Sequence, residues 1–223
     1  MARVARARDA PIERAMPRRH PLSPKAPAVW LFSDERSGVP VERLAALLPP
    51  GSGIVVRHDS LAPGARWRLL RRLARIARAR GLTLHLAAAP AIGKRWGADG
   101  VHLRSRDARR AGAAHRLGLR LSMPVHDVAE ARRARRAGAA IAFVSPLYPT
   151  RSHPGAPALG RAAWLRLARI AGGRPVALGG MTPARARALK RASDLNPGWA
   201  AIDAWAEKAA KRQLRQKRNA VPT

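Results

Sequence analysis

Cysteine is absent from this 223-residue chain. Its absence excludes a disulfide framework, a thiol nucleophile, an iron–sulfur cluster and a cysteine zinc site, and leaves no argument for an oxidising compartment. Acidic residues are scarce: 13 Asp and Glu stand against 44 Lys and Arg, a formal net charge of +31. Long apolar runs are also missing. The stretches 84–92 and 137–144 are among the longest, and each is about half the roughly 20 residues that cross a bilayer. Residues 1–27 contain no apolar core of a secretory signal, so the expectation is a cytoplasmic protein with no membrane partner.

What is present suffices for a core, since 47% of the residues are hydrophobic. That suits one domain of moderate size or two small ones. The excess charge is not gathered in one place. Residues 1–27 carry seven basic and two acidic side chains, residues 206–223 carry six and one, and the remaining +21 is spread between them. A dedicated nucleic-acid tail concentrates its charge. This distribution instead predicts non-specific, salt-sensitive polyanion binding whatever the function. An RNA- or DNA-associated role exploiting the arginines stays open as an alternative.

Pro11, Pro17, Pro21, Pro24 and Pro27 rule out a continuous helix at the start, so residues 1–27 read as a flexible basic extension. From Val29 a rhythm sets in of short apolar runs, each followed by an Arg/Ala/Leu segment of helical period. Candidate strands are 29–33, 53–57, 83–87, 100–103, 120–123, 141–145, 176–179 and 200–202. Between and after them lie helical patterns, the last at 204–218. In 65–80, Leu70, Leu73, Ala74 and Ala77 fall at i, i+3, i+4 and i+7, while Arg68, Arg71, Arg72, Arg75 and Arg78 occupy the other faces. Such alternation predicts a parallel sheet with helical crossovers, open or closed, and the count of eight favours a compact (β/α)8 barrel over residues 28–206. Residues 207–223 are left as a basic C-terminal tail.

In such a barrel, chemistry sits on the loops beyond the strand C-termini. The sixth of these, Ser145-Pro-Leu-Tyr-Pro-Thr-Arg-Ser-His-Pro-Gly-Ala-Pro-Ala-Leu-Gly160, holds four prolines with hydroxyls at Thr150 and Ser152 and an imidazole at His153. A rigid backbone with several donors suits an anion, or simply covers the mouth. Gly179 and Gly180 close the seventh strand and precede Thr182-Pro183, an N-cap and first-turn pair. Glycines there let a phosphate approach backbone N–H groups. His126 follows the fifth strand, where an imidazole can shuttle a proton or merely hold a helix start. His102, on a strand, reads as a satisfied interior residue. His58, His126 and His153 together leave a metal cluster as a lesser alternative.

Four ordered motifs, Gly97-Ala-Asp-Gly-Val-His-Leu103, His126-x-x-x-Glu130, the Ser145–Gly160 loop and Val176-Ala-Leu-Gly-Gly-Met-Thr182, together resemble the thiamine phosphate synthase/TenI family. The Ser-His-Pro-Gly-Ala wording is most similar to its TenI-type branch. The resemblance covers about 29–206 and implies a (β/α)8 barrel of thiamine biosynthesis that binds a thiazole phosphate. Two reactions are implied. Synthase members join a pyrimidine diphosphate to a thiazole phosphate and release pyrophosphate with Mg²⁺, whereas TenI-type members are thiazole tautomerases that move a proton with a histidine.

The chain departs from the synthase pattern where the metal chemistry lies. Gln-x-Arg-x-Lys after the second strand reads Val55-Val56-Arg57-His58-Asp59, Asn-Asp after the third is Ala87-Ala88, and Gly-Gln-x-Asp after the fourth is Arg104-Ser105-Arg106-Asp107. Pro124 stands for a serine and His153 for a lysine. Each lost electrostatic stabiliser of a leaving diphosphate weighs several kcal/mol. The resemblance therefore implies His126 as the catalytic group, with Arg57, His58, Thr150, Ser152 and His153 on the substrate. Gly179, Gly180, Ile202 and Asp203 would hold the phosphate, and Asp107 is left as a vestigial metal ligand. Tautomerase chemistry leads, with Mg²⁺ required only if synthase activity is retained; a divergent synthase and a non-catalytic thiazole-phosphate binder are the alternatives.

Overall fold

The computed structural model describes residues 26–150, 155 and 157–219. Among them eight strands, β1 (Val29–Phe32), β2 (Gly53–Val56), β3 (Thr83–Leu86), β4 (Gly100–His102), β5 (Arg120–Val125), β6 (Ile141–Val144), β7 (Arg174–Ala177) and β8 (Gly198–Ala201), alternate with α1 (Val41–Ala45), α2 (Pro63–Arg80), α3 (Pro90–Arg95), α4 (Ala111–Arg116), α5 (Val128–Arg136), α6 (Gly160–Ala171), α7 (Pro183–Arg191) and α8 (Asp203–Asn219). The strands pair in parallel and in sequence order, and the sheet closes where Val29, Trp30 and Leu31 meet Trp199, Ala200 and Ala201. This is the (β/α)8 barrel the alternation predicts. No helix among the described residues is long and apolar enough to cross a membrane.

The element ends differ from the apolar runs for local reasons. β5 continues through Pro124 to Val125. On that strand Arg120 N–H bonds to Asp99 and Ser122 C=O accepts from Leu103 N–H, so alternate residues from Arg120 face β4. Pro124, two residues past Ser122, lies beyond the end of β4, where a missing N–H interrupts no ladder. α2 and α7 start at Pro63 and Pro183, compatible with the first turn of a helix, and α2 stops at Gly81 in the left-handed conformation. α8 runs on to Asn219, so residues 207–219 continue the last barrel helix. Of the 1–27 segment only Ala26 and Pro27 are described. The Ala26 carbonyl accepts from Arg174, and the Pro27 carbonyl accepts from Trp30 Nε1 at 2.9 Å.

Two apolar shells lie between sheet and helices. Leu31, Ile54, Val56, Leu84 and Leu86 pack against Leu70, Leu73, Ala74 and Ala77 of α2, the face its period predicts. Val101, Leu121, Val125, Val144 and Ala177 pack with α4 to α7 around Trp164. Arg68, Arg71, Arg72, Arg75 and Arg78 of α2 are left on the outside, whereas Arg66 and Arg80 turn inward to the carbonyls of Ala87 and Leu48.

The barrel interior is filled by Trp30, Phe32, Val55, Ile141, Phe143, Val176 and Ala200. Large and small residues interlock there: a Cβ at Gly53 would collide with the Trp30 ring, and one at Gly100 with His85. Trp30 meets His85 and Phe143 edge-on at 5.0 and 5.3 Å between ring centres, and Phe143 meets Phe32 at 4.7 Å and His102 at 5.5 Å. Edge-to-face contacts of this kind fix ring orientation as well as burying area.

Burial pushes the imidazoles of His85 and His102 down to about 3 from 6.5. Above pH 6.5 both are neutral, folded or unfolded, and add no pH dependence. As pH falls from about 6.5 toward 3, the unfolded chain binds two protons that the folded chain refuses, so stability falls by up to about 1.4 kcal/mol per pH unit for each imidazole. A melting-temperature scan is expected to drop across that window, and His85→Leu to flatten it by removing one of the two. An equally steep drop in that variant would show that His85 does not carry it.

Candidate active site

The strand C-termini open into a cavity of about 400 Å³, a size that suits a small organic ligand. Its floor is the top of the interior column, Phe32, His102 and Phe143, with Leu178 and Ile202 beside them. A largely apolar floor between polar walls suits a ring with a charged substituent.

One wall is built on the loops after β2 and β4. Arg57, Asp59 and Arg104 line the cavity there. Asp59 is shared between two guanidiniums, 3.1 Å from Arg66 and 2.9 Å from Arg104. Arg66 also donates to the Ala87 carbonyl at 2.8 Å, tying this wall to the loop after β3. His58 does not line the cavity. It adopts φ +47°, and its Nδ1 lies 2.9 Å from the Ser33 hydroxyl, whose oxygen accepts from Arg57 N–H at 2.8 Å. Burial, partly opposed by Glu35, moves its imidazole below the ordinary value. His58 thus brackets the ends of β1 and β2.

The opposite wall carries Gly179, Gly180, Ile202 and Asp203, all on the cavity. Gly179 has φ +93° and Gly180 +60°. A Cβ would stand 2.7 Å from Pro146 Cα at Gly179, and 2.6 Å from the Pro149 carbonyl oxygen at Gly180. The sixth loop lies directly on these glycines: Leu147 N–H bonds to the Leu178 carbonyl at 2.9 Å and Tyr148 N–H to the Gly179 carbonyl at 3.2 Å. Arg185 donates to the Gly180 carbonyl and stacks 4.4 Å from the centre of the Tyr148 ring. Thr150 reaches the cavity. Ser152 and His153 lie outside the described residues.

His126 stands on the cavity at the end of β5. Its Nδ1 is 2.7 Å from Glu130 Oε2, which also accepts the His126 backbone N–H at 2.9 Å. Glu130 is held in turn, because Asp127 caps α5 by accepting the Glu130 N–H at 2.7 Å. The i, i+4 spacing puts the carboxylate beneath the imidazole. With Nδ1–H directed to Glu130, Nε2 remains as a base.

Residues 32–202 match the family model described as thiamine monophosphate synthase, TMP-TENI. The chain belongs to this family. It is 32% identical over 154 residues to the thiamine-phosphate synthase of Chromobacterium violaceum, an alignment covering 67% of this chain and 74% of that protein. Among solved structures, the thiamine phosphate pyrophosphorylase of Pyrococcus furiosus superposes with a TM-score of 0.64 at 19% identity, over 85% of this chain and 95% of the other. FabK of Thermotoga maritima superposes with 0.61 at 13% identity, over 81% and 59%. At such identities the structures share the barrel. Membership of TMP-TENI makes the chain an enzyme of thiamine biosynthesis.

The Mg²⁺ that the TMP-TENI resemblance implies for the synthase reaction needs converging oxygen ligands. Ala87 and Ala88 provide no side-chain oxygen, Asp59 is engaged by two arginines, and Asp107 does not line the cavity but faces Arg110 at 3.8 Å. Among the described residues no three of His, Asp and Glu gather closely enough to hold a metal. The side chains present do not fit the ion.

Three features escape a reading by sequence. Glu130 is visible as a motif member, yet its role needs the helix phase. The Arg66–Asp59–Arg104 cluster joins residues up to 45 positions apart. His102 reaches the cavity because β4 ends there, a fact that alternation along a three-residue strand cannot supply.

Alanine at Gly179 or Gly180 meets both a positive φ and a neighbouring backbone, and should cost about 1–3 kcal/mol, or roughly 2–12 °C in melting temperature. Gly38→Ala, with φ +63° and nothing within 4 Å of the added Cβ, isolates the strain of φ alone. Thermal melts should rank Gly179→Ala and Gly180→Ala below Gly38→Ala; equal losses would remove loop contact as the cause.

Proposed function

We propose that this barrel binds a thiazole phosphate and moves a proton on its ring, with His126 as acid and base, in the cytoplasm. The observation that carries the reading is the His126–Glu130 pair on the cavity wall. In the proposed reaction the Nε2 lone pair of His126 takes a proton from a ring carbon. The electrons left behind shift the ring double bonds, and the same nitrogen returns the proton to a second ring position, so nothing but a proton changes place. Glu130 keeps Nδ1 protonated throughout and offsets the transient imidazolium charge. The phosphate is assigned to Gly179, Gly180, Ile202 and Asp203, which line the cavity wall facing Arg57 and Arg104 and could meet it with backbone N–H groups.

A second reading, the condensation that gives the Chromobacterium relative its name, is favoured by Arg57 and Arg104 on the facing wall, two guanidiniums able to meet a diphosphate. Against it stands the carboxylate supply, since Asp59 and Asp107 both face arginines.

Replacing His126 with Ala is expected to lower tautomerisation by roughly 10²–10⁴-fold, the usual weight of a positioned acid–base group, with thiazole-phosphate affinity within about twofold of the parent. Glu130→Gln keeps the hydrogen-bonding shape without the charge and should lower turnover by at least about tenfold. Normal turnover in His126→Ala would remove the catalytic assignment.

Calorimetry should find no Mg²⁺ binding tighter than about millimolar, and a chelator should leave proton transfer unchanged. Tight Mg²⁺ binding together with pyrophosphate release from a pyrimidine diphosphate would establish the second reading instead.

A further inference from the structure

The buried hydroxyl of Ser122 sits between two imidazoles beneath the cavity. Its Oγ is 2.8 Å from Nδ1 of His85, 3.2 Å from Nδ1 of His102 and 3.3 Å from the Val101 carbonyl oxygen. A hydroxyl has one proton to give and two lone pairs to accept with. The Val101 carbonyl can only accept, so the contact to it uses the Ser122 proton. Both imidazoles must then donate to Ser122 through Nδ1–H, leaving each Nε2 bare.

A second observation agrees with this count. His85 is wholly buried and its Nε2 has no hydrogen-bond partner. With the proton on Nδ1, the atom stranded there is a lone pair. The opposite tautomer would bury an unpaired N–H, a rarer defect.

His102 differs from His85 in its surroundings. Its ring is packed edge-on by Phe32 and Phe143 at 5.5 Å from each, and it lines the cavity. Since Nδ1 is held by Ser122, Nε2 is the nitrogen it offers to a ligand.

We propose that Ser122 is a positioning residue that locks His102 as the Nδ1–H tautomer, so that the cavity floor presents a hydrogen-bond acceptor at Nε2. This goes beyond the ligand reading above and does not depend on His126, which works from the wall. Burial keeps His102 neutral; Arg57, His126 and Arg104 add to that, and Asp59 opposes it. His85 faces it from below, and Arg120 faces His85.

The test begins with the full-length protein labelled with ¹⁵N-histidine, its His102 signals identified by their loss in His102→Gln. Long-range ¹H–¹⁵N correlation spectra are expected to show His102 neutral with the proton on Nδ1 from pH 5 to 8. A proton on Nε2 overturns the proposal, whatever the variants do. Ser122→Ala should release the tautomer toward Nε2–H, Ser122→Thr should restore Nδ1–H, and His85→Leu should leave His102 as in the parent. An unchanged Nδ1–H signal in Ser122→Ala means that Ser122 does not set it. As a probe of the acceptor, pyrazole, which bears an N–H, should shift the His102 Nε2 resonance, and isothiazole, which has none, should not; equal responses would show that Nε2 is not offered to the cavity as an acceptor. None of these measurements uses turnover, so they stand or fall separately from the role of His126.

Discussion

The close approach of Trp30 to the strands facing it governs the barrel. Its indole occupies the space that a side chain at Gly53 would need, and His85, packed edge-on against it, occupies that at Gly100, so β2 and β4 draw in around the two rings. The indole N–H is not left unpaired, because the Pro27 carbonyl reaches under the barrel to accept it. Above Trp30 the rings of Phe143, Phe32 and His102 follow in edge-on contact, each orienting the next. The top of that column is the cavity floor. The shape of the site is thus set from below, by what fills the barrel.

Charge is handled separately from packing. The chain carries +31, yet the column under the cavity is built from apolar and neutral polar side chains; many helix arginines stand outside, while Arg120 and Arg174 open β5 and β7 with partly buried guanidiniums. Where acids occur they are engaged: Glu42 with Arg72 at 2.7 Å, Asp194 with Arg169 at 3.0 Å, and Asp59 with two partners at the cavity. The exposed pairs contribute at most about 1 kcal/mol each. Asp59 matters differently, because a carboxylate shared by two guanidiniums has little left for a divalent cation and leaves the wall net positive, suited to an anion.

The alternation of apolar runs and helical periods made the barrel legible, because each strand buries one face inside and one under a helix, and each helix buries a single stripe. Strand ends were less so. Arg174 and Gly198 open β7 and β8 although neither is apolar, since ladder pairing with neighbouring strands decides where a strand starts. Gly179 and Gly180 could be found as a pair from their place after the seventh strand. That the sixth loop rests on them could not, because contact across 30 residues leaves no local pattern. His126 was legible in its motif and position, while Ser122 reads as an ordinary strand residue until the two imidazoles on neighbouring strands are seen to share it.

Two histidines reach the same cavity and their partners assign them different work. Glu130 is an anion on the rim, so an imidazole bound to it can take up a proton and have the new charge offset at 2.7 Å. Ser122 is neutral and wholly buried, and its single proton is engaged by a backbone carbonyl. An imidazole bound to it has nothing to offset a charge and stays a neutral acceptor. Exchanging the two partners would exchange the two roles without moving either histidine. In this barrel the chemistry of the site is therefore carried less by which residues face the ligand than by what stands behind them.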